Sequence, residues 1–101
     1  MKVTLYGAEI CPGCRAAKAR LSEVSGVELE FKNITESTAM LREFLRFRDH
    51  DPMFAPVVEI GRIGIPFFIL EDGTETFDMD DFVAPDGTLK ANACSLDGKG
   101  C

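Results

Sequence analysis

The sequence predicts one α/β domain, on the basis of three stretches of the chain. Residues 2–6 form an apolar run typical of a buried strand, and Cys11-Pro12-Gly13-Cys14 and a stretch of helix-favouring residues follow it. Residues 27–31 alternate apolar and acidic side chains, whereas residues 65–70 are continuously apolar. The predicted order is strand, helix, strand, helix, strand, strand and short helix.

The composition is that of a soluble globular protein. Its 101 residues suffice for one domain, and the net charge of −6 argues against binding nucleic acid or anionic membrane through bulk charge. The longest apolar run, residues 65–70, is too short to span a bilayer, and no signal-peptide hydrophobic region follows Met1. We therefore expect a cytoplasmic protein, with neither nucleic acid nor membrane among its partners.

The first helix is expected over residues 12–24. Cys11 is the natural N-cap, and Pro12 suits the first helical position because the N–H that it lacks has no helical partner there. Ser25-Gly26 then ends the helix. The alternation in residues 27–31 is typical of a strand with one face in water, so we place this strand at an edge of the sheet.

The second helix is expected to open at Ile34, with Thr35 as its N-cap. A turn or short helix follows from Asp51-Pro52 and ends at Gly61 and Gly64. The side chains expected to be buried by these two segments are Met40, Leu41, Phe44, Leu45 and Phe47 from the helix, and Phe54, Val57, Val58 and Ile60 from the segment after it.

The last third of the chain predicts a hairpin and a tail. Residues 65–70 have the profile of a central strand, and Asp72-Gly73 predicts a tight turn into a shorter strand over residues 74–77. Asp78 or Met79 would cap a last helix that ends before Pro85. No periodicity follows, so we divide the chain into a domain of residues 1–84 and a mobile tail of residues 85–101.

Cys11 and Cys14 are the predicted catalytic pair. The N–H groups and the positive end of the helix dipole point at Cys11, and such surroundings lower a cysteine pKa from about 8.5 to ~3.5–7.5. Cys14, one turn further on, would attack a mixed disulfide formed on Cys11. The alternatives are two inert buried thiols, or a structural metal site that would need Cys94 and Cys101 from the tail.

Pro66 has two interpretations at the start of the third strand. A trans proline marks only the first residue of the strand, because it lacks one ladder donor. A cis Ile65–Pro66 bond would leave the N–H and C=O of Ile65 free to pair with an extended substrate. In the cis case, Ile65 and Pro66 are the predicted substrate-binding residues.

These features resemble the glutaredoxins, a branch of the thioredoxin fold. The resemblance covers residues 2–84 and rests on the C-P-x-C motif between a strand and a helix, on Gly64-Ile65-Pro66, and on the Asp72-Gly73 hairpin. It implies a four-stranded mixed sheet flanked by helices. It also implies Cys11 as nucleophile, Cys14 as resolving thiol and a cis Pro66 beside them.

Some positions differ from the glutaredoxin pattern and bear on the use of glutathione. Glu9 lies near the place where the family carries Lys or Arg, and a negative charge disfavours a thiolate. Phe77-Asp78 replaces a Gly-Gly turn, where a ring and a carboxylate would hinder glutathione. Asp80 matches the family's acidic pair and is predicted to bind an α-amino group.

We predict a monomeric thiol–disulfide oxidoreductase that uses Cys11 and Cys14 on a disulfide-containing protein or small thiol compound. Glutathione or a reductase system would restore it, and it would need no cofactor, with glutathione at most a co-substrate. The alternatives are an iron–sulfur or soft-metal binding module that uses Cys11, and a non-catalytic redox-sensing interaction module. Cys94 and Cys101 are either thiols without a role or a flexible second dithiol.

Overall fold

The computed structural model describes residues 1–90 of the chain. Within them lie four strands and three helices: β1 (Lys2–Gly7), α1 (Pro12–Ser22), β2 (Glu28–Asn33), α2 (Thr38–Arg48), α3 (Ala55–Glu59), β3 (Phe67–Leu70) and β4 (Glu75–Thr76). The strands and the first two helices follow the predicted order, and α3 lies where a turn or short helix was expected. Two 3₁₀ turns, Pro52–Phe54 and Met79–Asp81, complete the described part. The predicted α/β class with a four-stranded mixed sheet is confirmed.

The sheet order places the predicted site at the carboxyl end of a central strand. β1 pairs parallel with β2 and antiparallel with β3, and β3 pairs antiparallel with β4, so the order is β2-β1-β3-β4. The prediction of β2 at an edge and β3 inside the sheet is confirmed. α1 is the crossover that the parallel pair requires, and it therefore starts beyond the carboxyl end of β1, where Cys11 lies.

Apolar side chains on the central strands are buried on both faces of the sheet. Along β1 and β3 successive side chains alternate between two separate cores, as the pleat of a strand requires. One core packs against α1 and contains Val3, Leu5, Leu21, Phe68 and Phe82. The other packs against α2 and contains Tyr6, Ile34, Phe44, Phe54 and Phe67. Burial of each large apolar side chain contributes ~1.5–3 kcal/mol, so both helix layers are held firmly to the sheet.

The starts of the first two helices follow their capping side chains. α1 begins at Pro12 with Cys11 as N-cap, as predicted. The prediction of Thr35 as the N-cap of α2 is wrong. The N–H and the hydroxyl of Thr35 both donate to Asn33 Oδ1, at 3.0 and 2.7 Å, which keeps this stretch in a turn. Ser37 is the cap instead, because its Oγ accepts the N–H of Met40 at 3.1 Å.

Several predicted elements are shorter than expected, and some predicted core residues are therefore exposed. α1 ends at Ser22, and α3 is too short to bury a full apolar stripe. Phe54 is fully buried, but Val58 and Ile60 are 46% and 67% exposed, and Leu41 on α2 is 39% exposed. The predicted last helix is only the 3₁₀ turn Met79–Asp81, capped by the Asp78 side chain.

After β4 the chain stays in contact with the rest of the domain as far as Lys90. The N–H of Lys90 donates to the carbonyl of Phe82, Val83 and Leu89 form a β-bridge, and Leu89 packs against the α1-side core. Contacts thus extend beyond the predicted boundary at residue 84. The remainder of the predicted tail, residues 91–101 with Cys94 and Cys101, lies outside the described residues. In residues 1–90 no helix has both the length and the apolar character needed to cross a membrane.

Candidate functional site

Cys11 caps the first helix with its own sulfur. Its N–H donates to the carbonyl of Ala8 at 3.0 Å, which closes the turn after β1. Its Sγ accepts the N–H of Cys14 at 3.4 Å, in the role that a serine or aspartate oxygen plays in an ordinary N-cap. The side chain is half-buried, so the sulfur stays within reach of a substrate.

Cys14 is completely buried one turn further along α1. Gly7, at the end of β1, makes room for it, because a Cβ on Gly7 would lie 2.9 Å from the Cys14 sulfur. Sequence reasoning did not identify Gly7. Its position directly before the loop to the motif was the only signal, and a glycine there also suits an ordinary turn.

The surroundings push the two thiol pKa values apart. Partial burial opposes ionisation of Cys11, but the Cys14 thiol, the N–H groups of Cys14 and Gly13, and the charge of Arg15 outweigh it and lower the Cys11 pKa. Burial, the hydrogen bond donated to Cys11 and the nearby Cys11 charge raise the pKa of Cys14 to about 12, against a backbone hydrogen bond at Ala8. Cys11 is therefore the thiol that ionises first.

Glu9 has a partner that the sequence did not predict. Lys18, two turns into α1, places its Nζ 2.8 Å from Glu9 Oε1. The charge of this carboxylate is thus balanced by a lysine, and the cation that acts on Cys11 is Arg15, immediately after the motif.

Pro66 lies beside the motif, in the cis form that the family resemblance implied. The Ile65–Pro66 peptide bond is cis, which confirms that prediction. A Cβ on Gly13 would lie 4.0 Å from Pro66 Cδ and 4.0 Å from Cys11 Sγ. The structure therefore brings together three of the sequence-predicted residues, Cys11, Cys14 and Pro66.

A groove of about 800 Å³ opens beside Cys11. Its lining is largely apolar. It comes from the loop before the motif, from the two residues after β2, from residues 56–64, which we call the 56–64 segment, from the two residues before β3 and from the residue after β4. The lining residues used below are Ile10, Ile60, Arg62, Ile63, Ile65 and Phe77. Beneath the 56–64 segment, Phe54 packs edge-on against Phe77 with ring centroids 4.8 Å apart.

The 56–64 segment is fixed by hydrogen bonds from Arg48. The guanidinium of Arg48 donates from Nη2 to the carbonyl of Arg62 at 2.8 Å and from Nε to that of Ile63 at 3.2 Å. Arg42, Arg46 and Arg48 look in the sequence like one solvated or substrate-binding row. The structure separates them, because Arg48 supports the groove from behind and the other two are exposed on α2.

The remaining predicted site residues divide between the groove and the surface around it. Ile65 lines the groove next to Pro66. Asp80 does not line it: the Asp80 carboxylate is exposed and lies 3.2 Å from the guanidinium of Arg20 on α1. Residues 1–90 contain no cluster of three or more His, Cys, Asp or Glu side chains that could bind a metal ion.

The chain is 32% identical over 78 residues to an uncharacterised protein of Haemophilus influenzae, and the match covers 77% of this chain and 90% of the relative. The chain belongs to that protein's family. No protein-family model and no solved structure matches this chain. In this family member the described features are a C-x-x-C pair at a β1–α1 junction, in a thioredoxin-like βαβ arrangement, with an apolar groove beside the accessible thiol.

Proposed function

We propose that the protein is a glutaredoxin-like thiol–disulfide oxidoreductase. The observation that carries this proposal is the difference between the two thiols of the motif. Cys11 is accessible and its pKa is lowered, whereas Cys14 is buried and its pKa is raised to about 12. Such a pair suits a first step by Cys11 and a second step by Cys14.

The reaction moves two electrons from the motif to the substrate, and the two protons that the product thiols gain come from Cys14 and from water. The Cys11 thiolate attacks one sulfur of a disulfide, forms a mixed disulfide and releases the other sulfur as a thiolate, which takes a proton. Formation of the mixed disulfide removes the negative charge of Cys11, one of the causes that hold the Cys14 pKa high. Cys14 then loses its proton, attacks Cys11 Sγ and releases the second substrate thiol, leaving a Cys11–Cys14 disulfide.

Glutathione is the less favoured partner for this site. The Asp78 carboxylate accepts the N–H of Asp80 at 2.9 Å, so a glutathione carboxylate would compete with Asp78 for the donors of that turn. Phe77 fills part of the groove beside it. If Asp80 binds an amino group, that group must displace Arg20. We therefore propose a reductase system as the donor that restores the enzyme, with glutathione as the alternative.

A disulfide-reduction assay tests the proposal, run in parallel with glutathione and with a thioredoxin-reductase system. We expect Cys11→Ser to lower turnover by ~10³-fold or more, since a hydroxyl does not replace a thiolate in this exchange. Cys14→Ser should stop after the first step and accumulate a mixed disulfide on Cys11, which mass spectrometry detects. Cys94→Ser and Cys101→Ser are the matched thiol controls, and they should leave turnover unchanged. Turnover that survives Cys11→Ser would refute the proposal.

The accessible Cys11 thiolate also suits a second candidate function. One exposed thiolate next to an open groove could share an iron–sulfur cluster or soft metal ion with thiols from another subunit or ligand. Visible absorbance of protein purified without oxygen distinguishes this function from exchange. A redox sensor, the remaining alternative, would form the Cys11–Cys14 disulfide without repeated turnover in the assay above.

A further inference from the structure

We propose that the groove selects extended peptide substrates whose disulfide cysteine is flanked by apolar side chains and lies near a carboxylate, which pairs with Arg62. This inference rests on the proposed function and names its substrate class. Three features of the groove carry it: its exposed apolar residues, its single charge and its position at the start of β3.

The apolar residues are exposed and share one groove. Ile10, Ile60 and Ile63 are 80%, 67% and 57% exposed, although isoleucine is among the residues most often buried. Single exposed apolar residues are common on protein surfaces, but these three line the same groove as Cys11. Contact with an apolar side chain next to a substrate cysteine would remove them from water.

Among residues 1–90, Arg62 is the only Arg, Lys, Asp or Glu that lines the groove. Arg62 is exposed, and the part of the chain that the structure describes contains no ion pair to its side chain. Two nearby charged groups already have partners, since Glu9 pairs with Lys18 and the Arg48 guanidinium donates to carbonyls. The charge of the groove therefore complements an occupant with one carboxylate.

The position of the groove favours a peptide in extended form. Pairing between β1 and β3 begins at Tyr6 and Phe67, so Ile65 and Pro66 precede the ladder, at the place where a peptide backbone would add to it. The groove is also preformed, since Arg48 fixes the carbonyls of the 56–64 segment. Glutathione carries two carboxylates and an ammonium group but no large apolar side chain, and so matches this lining poorly.

Four symmetric peptide disulfides test the inference. Each is a short blocked peptide with its cysteine between two leucines or two serines, and with either glutamate or glutamine two positions away. The reduced protein is mixed with excess peptide disulfide, quenched with acid, and its oxidation is followed by mass spectrometry. No reductant is needed, because each protein molecule supplies the two electrons for one turnover. We expect the leucine–glutamate peptide to react ~10–100-fold faster than the serine–glutamine peptide.

Variants assign the preference to the groove. Arg62→Gln should slow the glutamate peptide by about 5–10-fold and leave the glutamine peptide unchanged, because an exposed charge pair is worth about 1 kcal/mol. Ile60→Ser should slow the leucine peptides by about 5–10-fold and leave the serine peptides unchanged. The matched controls are Arg42→Gln and Leu41→Ser, which change an exposed arginine and an exposed leucine of α2, outside the groove.

Equal rates for the four peptides would overturn the inference, and so would an effect of Arg42→Gln as large as that of Arg62→Gln. Hydroxyethyl disulfide, which has neither flanking side chains nor charge, separates this failure from failure of the proposed function. If it is reduced in a Cys11-dependent way but the peptides show no preference, only the substrate class is wrong. If neither it nor any peptide is reduced, the proposed function fails as well.

Discussion

The two sides of the groove are built in different ways. On one side, Cys11 is held by contacts that span only residues 8–15, including the carbonyl of Ala8 and the N–H of Cys14. On the other side, the 56–64 segment is held by Arg48 on α2 and lies against Phe54, which packs on Phe77 after β4. The reactive sulfur is thus specified locally, whereas the surface facing it depends on tertiary packing. Changes to one side should leave the other largely intact.

The largest effect is expected at Gly64, within the 56–64 segment. Gly64 has a φ of +98°, and a Cβ there would lie 2.7 Å from Cε2 of Phe54. Gly64→Ala should therefore lower the free energy of unfolding by about 2–4 kcal/mol, through backbone strain and overpacking. Denaturant unfolding measures this loss. The pH profile of Cys11 alkylation should stay unchanged, because the atoms nearest to the added Cβ belong to Phe54 and Val57 and not to the motif.

Gly61→Ala is the control for Gly64→Ala. Gly61 also has a positive φ, +75°, but a Cβ there would have no neighbour within 4 Å. Its substitution should cost only the strain, about 1 kcal/mol. Equal losses for the two variants would show that the contact with Phe54 does not hold the segment. A shift of the Cys11 profile in Gly64→Ala would show that the two sides are not independent.

The same difference explains which predictions succeeded. The order of the strands and of the first two helices, the N-cap at Cys11 and the turn at Asp72-Gly73 depend on neighbouring residues, and the structure confirms them. The predicted start of α2 was wrong because the sequence offers two hydroxyl residues that can cap a helix, Thr35 and Ser37. Only the hydrogen bonds of Thr35 to Asn33 decide between them.

Within the site, the sequence indicated the motif and Pro66 but not the groove. Ile60 looks in the sequence like a core residue, and its exposure follows from the shortness of α3, which no local pattern reveals. Likewise, the charge balance at Glu9 depends on Lys18, nine positions away on another element. The role of Arg48 is also invisible in the sequence, because its acceptors are backbone carbonyls.

An acidic pair below the 56–64 segment predicts a pH dependence of stability. Burial, a hydrogen bond with Asp51 and the Asp51 charge raise the pKa of Glu75 from 4.5 to about 7. The folded protein therefore holds a proton that the unfolded chain loses, so stability is full below pH 4.5 and falls as the pH rises to about 7. The expected loss is about 1–2 kcal/mol for this half-buried group. Denaturant midpoints at several pH values across this range measure it.

Glu75→Gln should remove this slope, since an amide can still hydrogen-bond to Asp51 but does not titrate. Glu59→Gln, at an exposed carboxylate on α3, is the matched control and should leave the slope as it is. An unchanged slope in Glu75→Gln would contradict the assignment. Asp51 also caps the turn that carries Phe54, so a confirmed slope would locate a titration on the side of the 56–64 segment.

The smallest effect is expected at Arg15, on the Cys11 side of the groove. Its charge is one cause of the lowered Cys11 pKa, so Arg15→Gln should move the midpoint of Cys11 alkylation upward, though only slightly because Arg15 is exposed. Well below the midpoint, alkylation should slow by about two- to threefold, because the thiolate fraction falls with each increase in pKa. Iodoacetamide labelling followed by mass spectrometry measures both.

Arg20→Gln is the control for Arg15→Gln, since it removes a charge from the last turn of the same helix, where Arg20 pairs with Asp80. Its profile should match that of the unchanged protein. An equal shift in both variants would assign the effect to the total charge of α1 and not to the contact at Cys11.

The rates of the four peptides report on the other side of the groove. Arg15→Gln should slow all four peptides by the same factor. A change in the ranking of the peptides would instead mean that Arg15 itself contacts the substrate, and that reactivity and selectivity share this residue.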